Sequence, residues 1–131
     1  LKRPLRDYFD SHLEAVLAEL PDWIHTLLEK MPLHAEDHPS DRVLRETGIR
    51  RRQNLCGLYT GIPLTEKSVE HSGTTPDVVT IYREGVMASA RDARGHVSEE
   101  ELRRQIKITV LHEIGHHHGL DEDDLTELGY G

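Results

Sequence analysis

Near the C-terminal end of the chain, His112-Glu113-Ile114-Gly115-His116-His117-His118-Gly119 spells H-E-x-x-H-x-x-G. Side chains four residues apart on an α-helix stand one above the other, with Cβ atoms roughly 5–6 Å apart, so His112 and His116 can converge on one ion. Neutral imidazoles at that spacing suit Zn²⁺, with Zn–N bonds of about 2.0–2.1 Å. Glu113 is set to reach a water beside the metal rather than the metal itself, and its carboxylate can take the proton that the ion makes acidic. Gly119 stands where the helix can end in the left-handed conformation that glycine adopts at little steric cost. The chain can then turn back and offer a carboxylate from Asp121, Glu122, Asp123 or Asp124. Two histidines and one carboxylate complete three protein ligands, the count of a catalytic zinc site that keeps one position open. A chain with ten histidines makes chance H-x-x-x-H pairs more often than usual, but here Glu, Gly and an acidic run must coincide on a helix-patterned segment. At about 100° per residue, His117 and His118 lie off the bearing of the pair and read as packing or solvent groups.

The motif ends a long helix that announces its own start. Ser98 can cap it, Glu101 can reach back in a capping box, and Glu99 to Glu101 complement the positive end of the helix dipole. Leu102, Ile106, Val110, Leu111 and Ile114 form its apolar stripe, and at roughly 20 residues, or 30 Å, it is a strut long enough to cross a small domain. Phe9, Leu13, Val16, Leu17 and Leu20 predict a one-sided helix over Tyr8 to Leu20, packed on a sheet, and Pro21-Asp22 opens a short second helix through Leu28. Met31 to Asp37 alternates as a half-buried strand does, with Pro32 pushing it toward a sheet edge and His34 toward solvent or a cleft. A helical turn through Val43 and Leu44 closes at Gly48, and a second strand is expected over Leu55 to Tyr59. Glu66 to Pro76 reads as an irregular loop, Asp77 to Arg83 as the clearest strand, and Ala88 to His96 as a charged connector. Leu125 and Leu128 suggest a short terminal helix. These elements make an α+β arrangement, a small mixed sheet covered by the first helix and the motif helix.

Totals narrow the function classes. The length of 131 residues predicts one domain over 1–131, and 5% aromatics leaves the core to Leu, Ile and Val. A formal net charge of −8 argues against a nucleic-acid backbone as partner, and the Arg50-Arg51-Arg52 cluster is short enough to be a solvated turn. Cys56 is the only cysteine, so nothing points to an oxidising compartment. No apolar run reaches membrane-spanning length, and a cytoplasmic protein is the default expectation.

On Gly57-Leu58-Tyr59-Thr60-Gly61-Ile62-Pro63-Leu64-Thr65, Pro76 to Arg83, Val110 to His117 and the closing Leu128-Gly129-Tyr130, the chain resembles a family of small bacterial zincin-like metallopeptidases. That resemblance implies a compact mixed-sheet domain, one zinc ion and a peptidase activity. It extends the motif to H-E-x-x-H-x-x-G-x-x-D, whose last position is the third ligand. Here that place holds Glu122, with Asp121 and Asp123 as the neighbouring alternatives. The family also tends to carry an aromatic where this chain has His118.

Zinc-dependent peptide hydrolysis is therefore the leading expectation, with His112, His116 and Glu122 as ligands and Glu113 as general base. Extended substrate is expected beside the strand at Val78 to Tyr82, since main-chain pairing recognises peptides with little sequence preference; Tyr130 is a candidate to steady the oxyanion. Two rivals keep the metal and change the role. One is a metal-dependent endoribonuclease, disfavoured by the acidic charge and the Glu at the second motif position. The other is a binding module of zincin fold that holds metal or a protein partner without cutting.

Overall fold

In the computed structural model, which describes residues 1–61 and 77–117, helix α1 spans Arg3–Glu19, starting earlier than the apolar stripe alone suggests because Pro4 sits in its first turn. α2 follows at Asp22–Lys30 behind Pro21. Strand β1 is Leu33–Glu36, and α3 is Asp41–Thr47. Ser40 caps α3 by accepting from the Val43 N–H at 3.2 Å, and Gly48 closes it at φ 74°. A 3₁₀ turn at Arg52–Asn54 leads to β2, Gly57–Thr60. After β3, Val78–Tyr82, come α4 at Arg83–Ala90 and α5 at Glu99–His117. The loop expected over Glu66 to Pro76 and the short helix at Leu125 and Leu128 lie outside the described residues.

The architecture is α+β, as the element pattern implied, with one correction of consequence. Among the described residues the sheet order is β1-β3-β2, β1 parallel and β2 antiparallel to β3. β3 is therefore the central strand, paired on both sides, and cannot be the edge beside which a substrate is added. Its run Val79 to Tyr82 is buried throughout, as a strand covered on both faces should be. β1 takes the edge position that Pro32 predicted.

A second correction concerns Ala88 to His96, expected as connector throughout: α4 runs through Ala90 before the connector begins. It forms because Gly85 lets the helix lie against the chain at Leu55 and Cys56, where a Cβ would run into the Leu55 carbonyl. The helix buries Val86, Met87 and Ala90 on one face, and the main-chain contact at Gly85 seats it there.

α5 is the spine of the core. Leu102, Ile106 and Val110 are fully buried, with Ile114 nearly so, among Phe9, Ile24, Val79 and Ile81. The apolar stripe of α1 packs chiefly on α5 rather than on the sheet. At the other end of α5 the Ser98 hydroxyl accepts from the Glu101 N–H at 3.1 Å. The Glu101 carboxylate turns forward along the helix to accept from Arg104 and Gln105.

One partly buried ionic knot, centred on the buried Arg83, ties α1, the end of β1 and α4 together. The Arg83 guanidinium donates to both carboxylate oxygens of Asp10, at 2.9 and 3.0 Å, and to Asp37 at 3.0 Å. Arg6 donates to Asp37 as well, at 3.2 and 2.6 Å. Hydrogen bonding from Arg6, with a smaller contribution from Arg83, holds the Asp37 carboxyl well below the usual carboxylate range.

Candidate metal centre

The last turns of α5 carry the motif. His112 and His116 stand with ring centroids 4.6 Å apart at 67°, as helical spacing dictates. The ligand atoms of His112, Glu113 and His116 all lie within 4.8 Å of one another. Donor atoms around a tetrahedral zinc with bonds of about 2.1 Å are about 3.4 Å apart, so modest side-chain rotation closes the difference. Two imidazoles are donors that zinc takes, and the Glu113 carboxylate beside them can accept a proton from a water on the ion. The residues present fit the ion.

Burial sorts the three into roles. Glu113 is 7% exposed, while His116 lies open on the surface and His112 between the two. The carboxylate thus comes from inside and the imidazoles face outward, an arrangement that lets solvent and a ligand approach the histidines with the glutamate behind them. Glu113 Oε1 lies 3.3 Å from His116 Nδ1.

Two positions that sequence reasoning gave no role prove to shape the site. Gly57 of β2 lies directly against α5, where a Cβ would stand 2.9 Å from Thr109 Cγ2 and 3.1 Å from Glu113 Cγ. Thr109, one turn before Glu113, is itself buried, and its hydroxyl donates to the Gln105 carbonyl at 2.8 Å. A glycine inside a strand pattern was the available signal, since it marks close approach of another backbone or side chain. The core face of Gly57 and Ile81 is the one α5 covers; His34, paired with Thr80, is on the opposite face. His34 Nε2 lies 3.3 Å from the Thr80 hydroxyl and 3.4 Å from Glu36, away from the centre. His12 is committed elsewhere too, accepting from the Arg103 guanidinium at 2.9 Å. Arg50 to Arg52 are exposed and Arg52 pairs with Glu84 at 3.2 Å, a solvated turn. Glu122, its neighbours Asp121 and Asp123, His118 and Tyr130 lie outside the described residues, as does the His117 side chain.

The sequence profile of the family described as Zincin-like metallopeptidase matches residues 28–131. The chain belongs to the zincin-like metallopeptidases. Its match takes in the sheet, α4 and the whole of α5, but begins after α1, which nonetheless packs on α5 and supplies Asp10 to the ionic knot. No curated protein matches the sequence. Among the described residues of this zincin-like chain, no helix is long and apolar enough to cross a membrane.

Proposed function

We propose that the protein is a zinc-dependent peptidase in which His112 and His116 hold the ion and Glu113 is the general base. The observation that carries the reading is the convergence of those three side chains, with the carboxylate buried behind two accessible imidazoles, in a member of a metallopeptidase family. Glu122 is the third ligand in this reading, a carboxylate delivered from just past Gly119. One zinc ion bound there would supply the positive charge that acidifies a water and polarises a peptide carbonyl.

The protein's own groups do the remainder. Glu113 takes the proton of the attacking water on its carboxylate and hands it to the departing amine. Its burial keeps the acceptor fixed while substrate comes and goes. The substrate edge moves from β3 to β2. The Tyr82 N–H donates to the Cys56 carbonyl at 2.8 Å, so the alternation of an antiparallel ladder turns the main-chain groups of Gly57 and Tyr59 toward the outer side. An extended peptide pairing there would run past the point where Glu113 meets β2. The net charge of −8 and the single cysteine support a protein rather than a nucleic-acid substrate and a cytoplasmic setting.

The test is the zinc-loaded protein on a peptide library beside its Glu113→Gln variant. We expect turnover to fall by on the order of 10²–10⁴-fold with zinc still bound; undiminished turnover in the variant would sink the mechanism. Replacing Glu122, Asp121 and Asp123 singly by Ala should weaken zinc binding only at 122. Loss confined to 121 or 123 would reassign the third ligand.

A further inference from the structure

Gly57 is not there for its backbone. The positive-φ glycines among the described residues are Gly48, Gly61 and Gly95, so Gly57 holds an ordinary strand conformation open to any residue. Its lack of a side chain matters for space alone. A Cβ would meet Thr109 Cγ2 at 2.9 Å, Glu113 Cγ at 3.1 Å and the Thr80 carbonyl oxygen at 3.1 Å, whereas carbon atoms rest about 3.5–4.0 Å apart. The three neighbours differ in what they can yield. The Thr80 carbonyl belongs to the central strand. Thr109 is β-branched, restricted at χ1 on a helix, and tied by its hydroxyl to the Gln105 carbonyl at 2.8 Å. The Glu113 side chain, a run of methylenes ending in the carboxylate, is the part free to swing.

We propose that Gly57 is a positioning residue for Glu113: the bare strand backbone and the Thr109 methyl together confine the Glu113 methylenes and so fix where the carboxylate stands relative to His112 and His116. The catalytic meaning of this placement rests on the peptidase reading above; the steric coupling does not. A methyl group at position 57 pushes the carboxylate off station while leaving both imidazoles, which Gly57 does not touch in the closest contacts, in place.

Two measurements on the full chain decide it. In the first, melting temperatures are compared for Gly57→Ala, Glu113→Ala and the double variant. The positioning role requires Gly57→Ala to lower the melting temperature of the parent protein and to lower it by clearly less once the Glu113 side chain is cut back, the remainder coming from the Thr109 and Thr80 contacts that both backgrounds share. Equal lowering in both backgrounds overturns it. If Gly57→Ala does not fold alone, a folded double variant supports the proposal and an unfolded one overturns it. In the second, Gly57→Ala loaded with zinc should lose on the order of 10²-fold in kcat with KM and zinc affinity close to the parent's. Unchanged kcat, or a loss that follows zinc affinity, overturns the positioning role. A parent protein inert on all peptides would instead defeat the peptidase reading, and the melting comparison would still decide whether Gly57 sets Glu113.

Discussion

Asp37 and Glu113 are both carboxylates withdrawn from water, and the molecule treats them in opposite ways. Asp37 receives two guanidinium groups, from Arg6 and Arg83, and the latter also grips Asp10 through Nε and Nη2. Every oxygen of that knot is occupied by charge-assisted hydrogen bonds, the strong kind, so Asp37 is held ionised and inert. Among the described residues Glu113 has a single ion-pair neighbour, the His116 ring at 3.3 Å, and its Cγ lies beside the bare backbone of Gly57. A carboxylate saturated by cations has no capacity left for a proton. Glu113 instead stands beside two imidazoles, where the proposed mechanism needs a base. On the proposed mechanism the difference separates a fastener from a reactive group.

Breaking the knot should be the larger structural insult. Arg83→Met leaves Asp10 and Asp37 without their shared partner. A fully buried set would lose about 3–5 kcal/mol, but Asp10 is 40% exposed and Asp37 keeps Arg6, so about 2–3 kcal/mol is expected, roughly 6–12 °C in melting temperature for a domain near this size. The Glu113→Gln variant should melt close to the parent while losing its turnover. Calorimetry and peptide assays on the same two samples test the contrast. A Glu113→Gln protein that melts as low as Arg83→Met would show that Glu113 is a fastener as well.

Acid sharpens the same comparison at a smaller scale. Arg6 and Arg83 depress the folded-state pKa of Asp37 below its unfolded value of about 3.9. The stability it contributes is therefore whole above that value and disappears as the pH falls toward the lower folded one. At neutral pH Asp37→Asn should cost about 1–3 kcal/mol, since hydrogen bonds to two charged groups are weakened. Denaturant titrations below pH 4 should show the gap between variant and parent narrowing. A gap that widens in acid would reverse the assignment.

What could be read from the chain alone follows the range of the interactions. The convergence of His112 and His116 was legible because four residues of helix are enough to define it. The start of α5 was legible because Ser98 caps within three residues. The knot was not: Arg83 is 73 residues from Asp10 and 46 from Asp37, and no local pattern announces such a meeting. α4 was missed because Gly85 reads as the end of a strand until Leu55 is seen lying against it. The centrality of β3 did leave a trace, for Val78-Val79-Thr80-Ile81-Tyr82 is a nearly unbroken β-branched and apolar run, and strands buried on both faces lose their alternation. Gly57 left a trace as well, a glycine where β-branched residues would serve a strand better. Its meaning depended on which helix the strand would meet.

The smallest effect comes from the end of α5 remote from the site. Ser98→Ala removes the hydroxyl that accepts from the Glu101 N–H, and the loss of such a cap costs about 1 kcal/mol. α5 runs from Glu99 to His117, so about 20–25 Å of helix separates that end from the histidines, and Leu102, Ile106 and Val110 anchor the intervening turns in the core. Fraying should therefore stop before it reaches Thr109. Amide exchange should quicken over residues 99–101 and stay unchanged at Glu113, with zinc affinity equal to the parent's. If exchange at Glu113 quickens too, α5 opens as one unit, and the order at the metal centre would depend on the whole helix rather than on the Gly57 and Thr109 walls beside it.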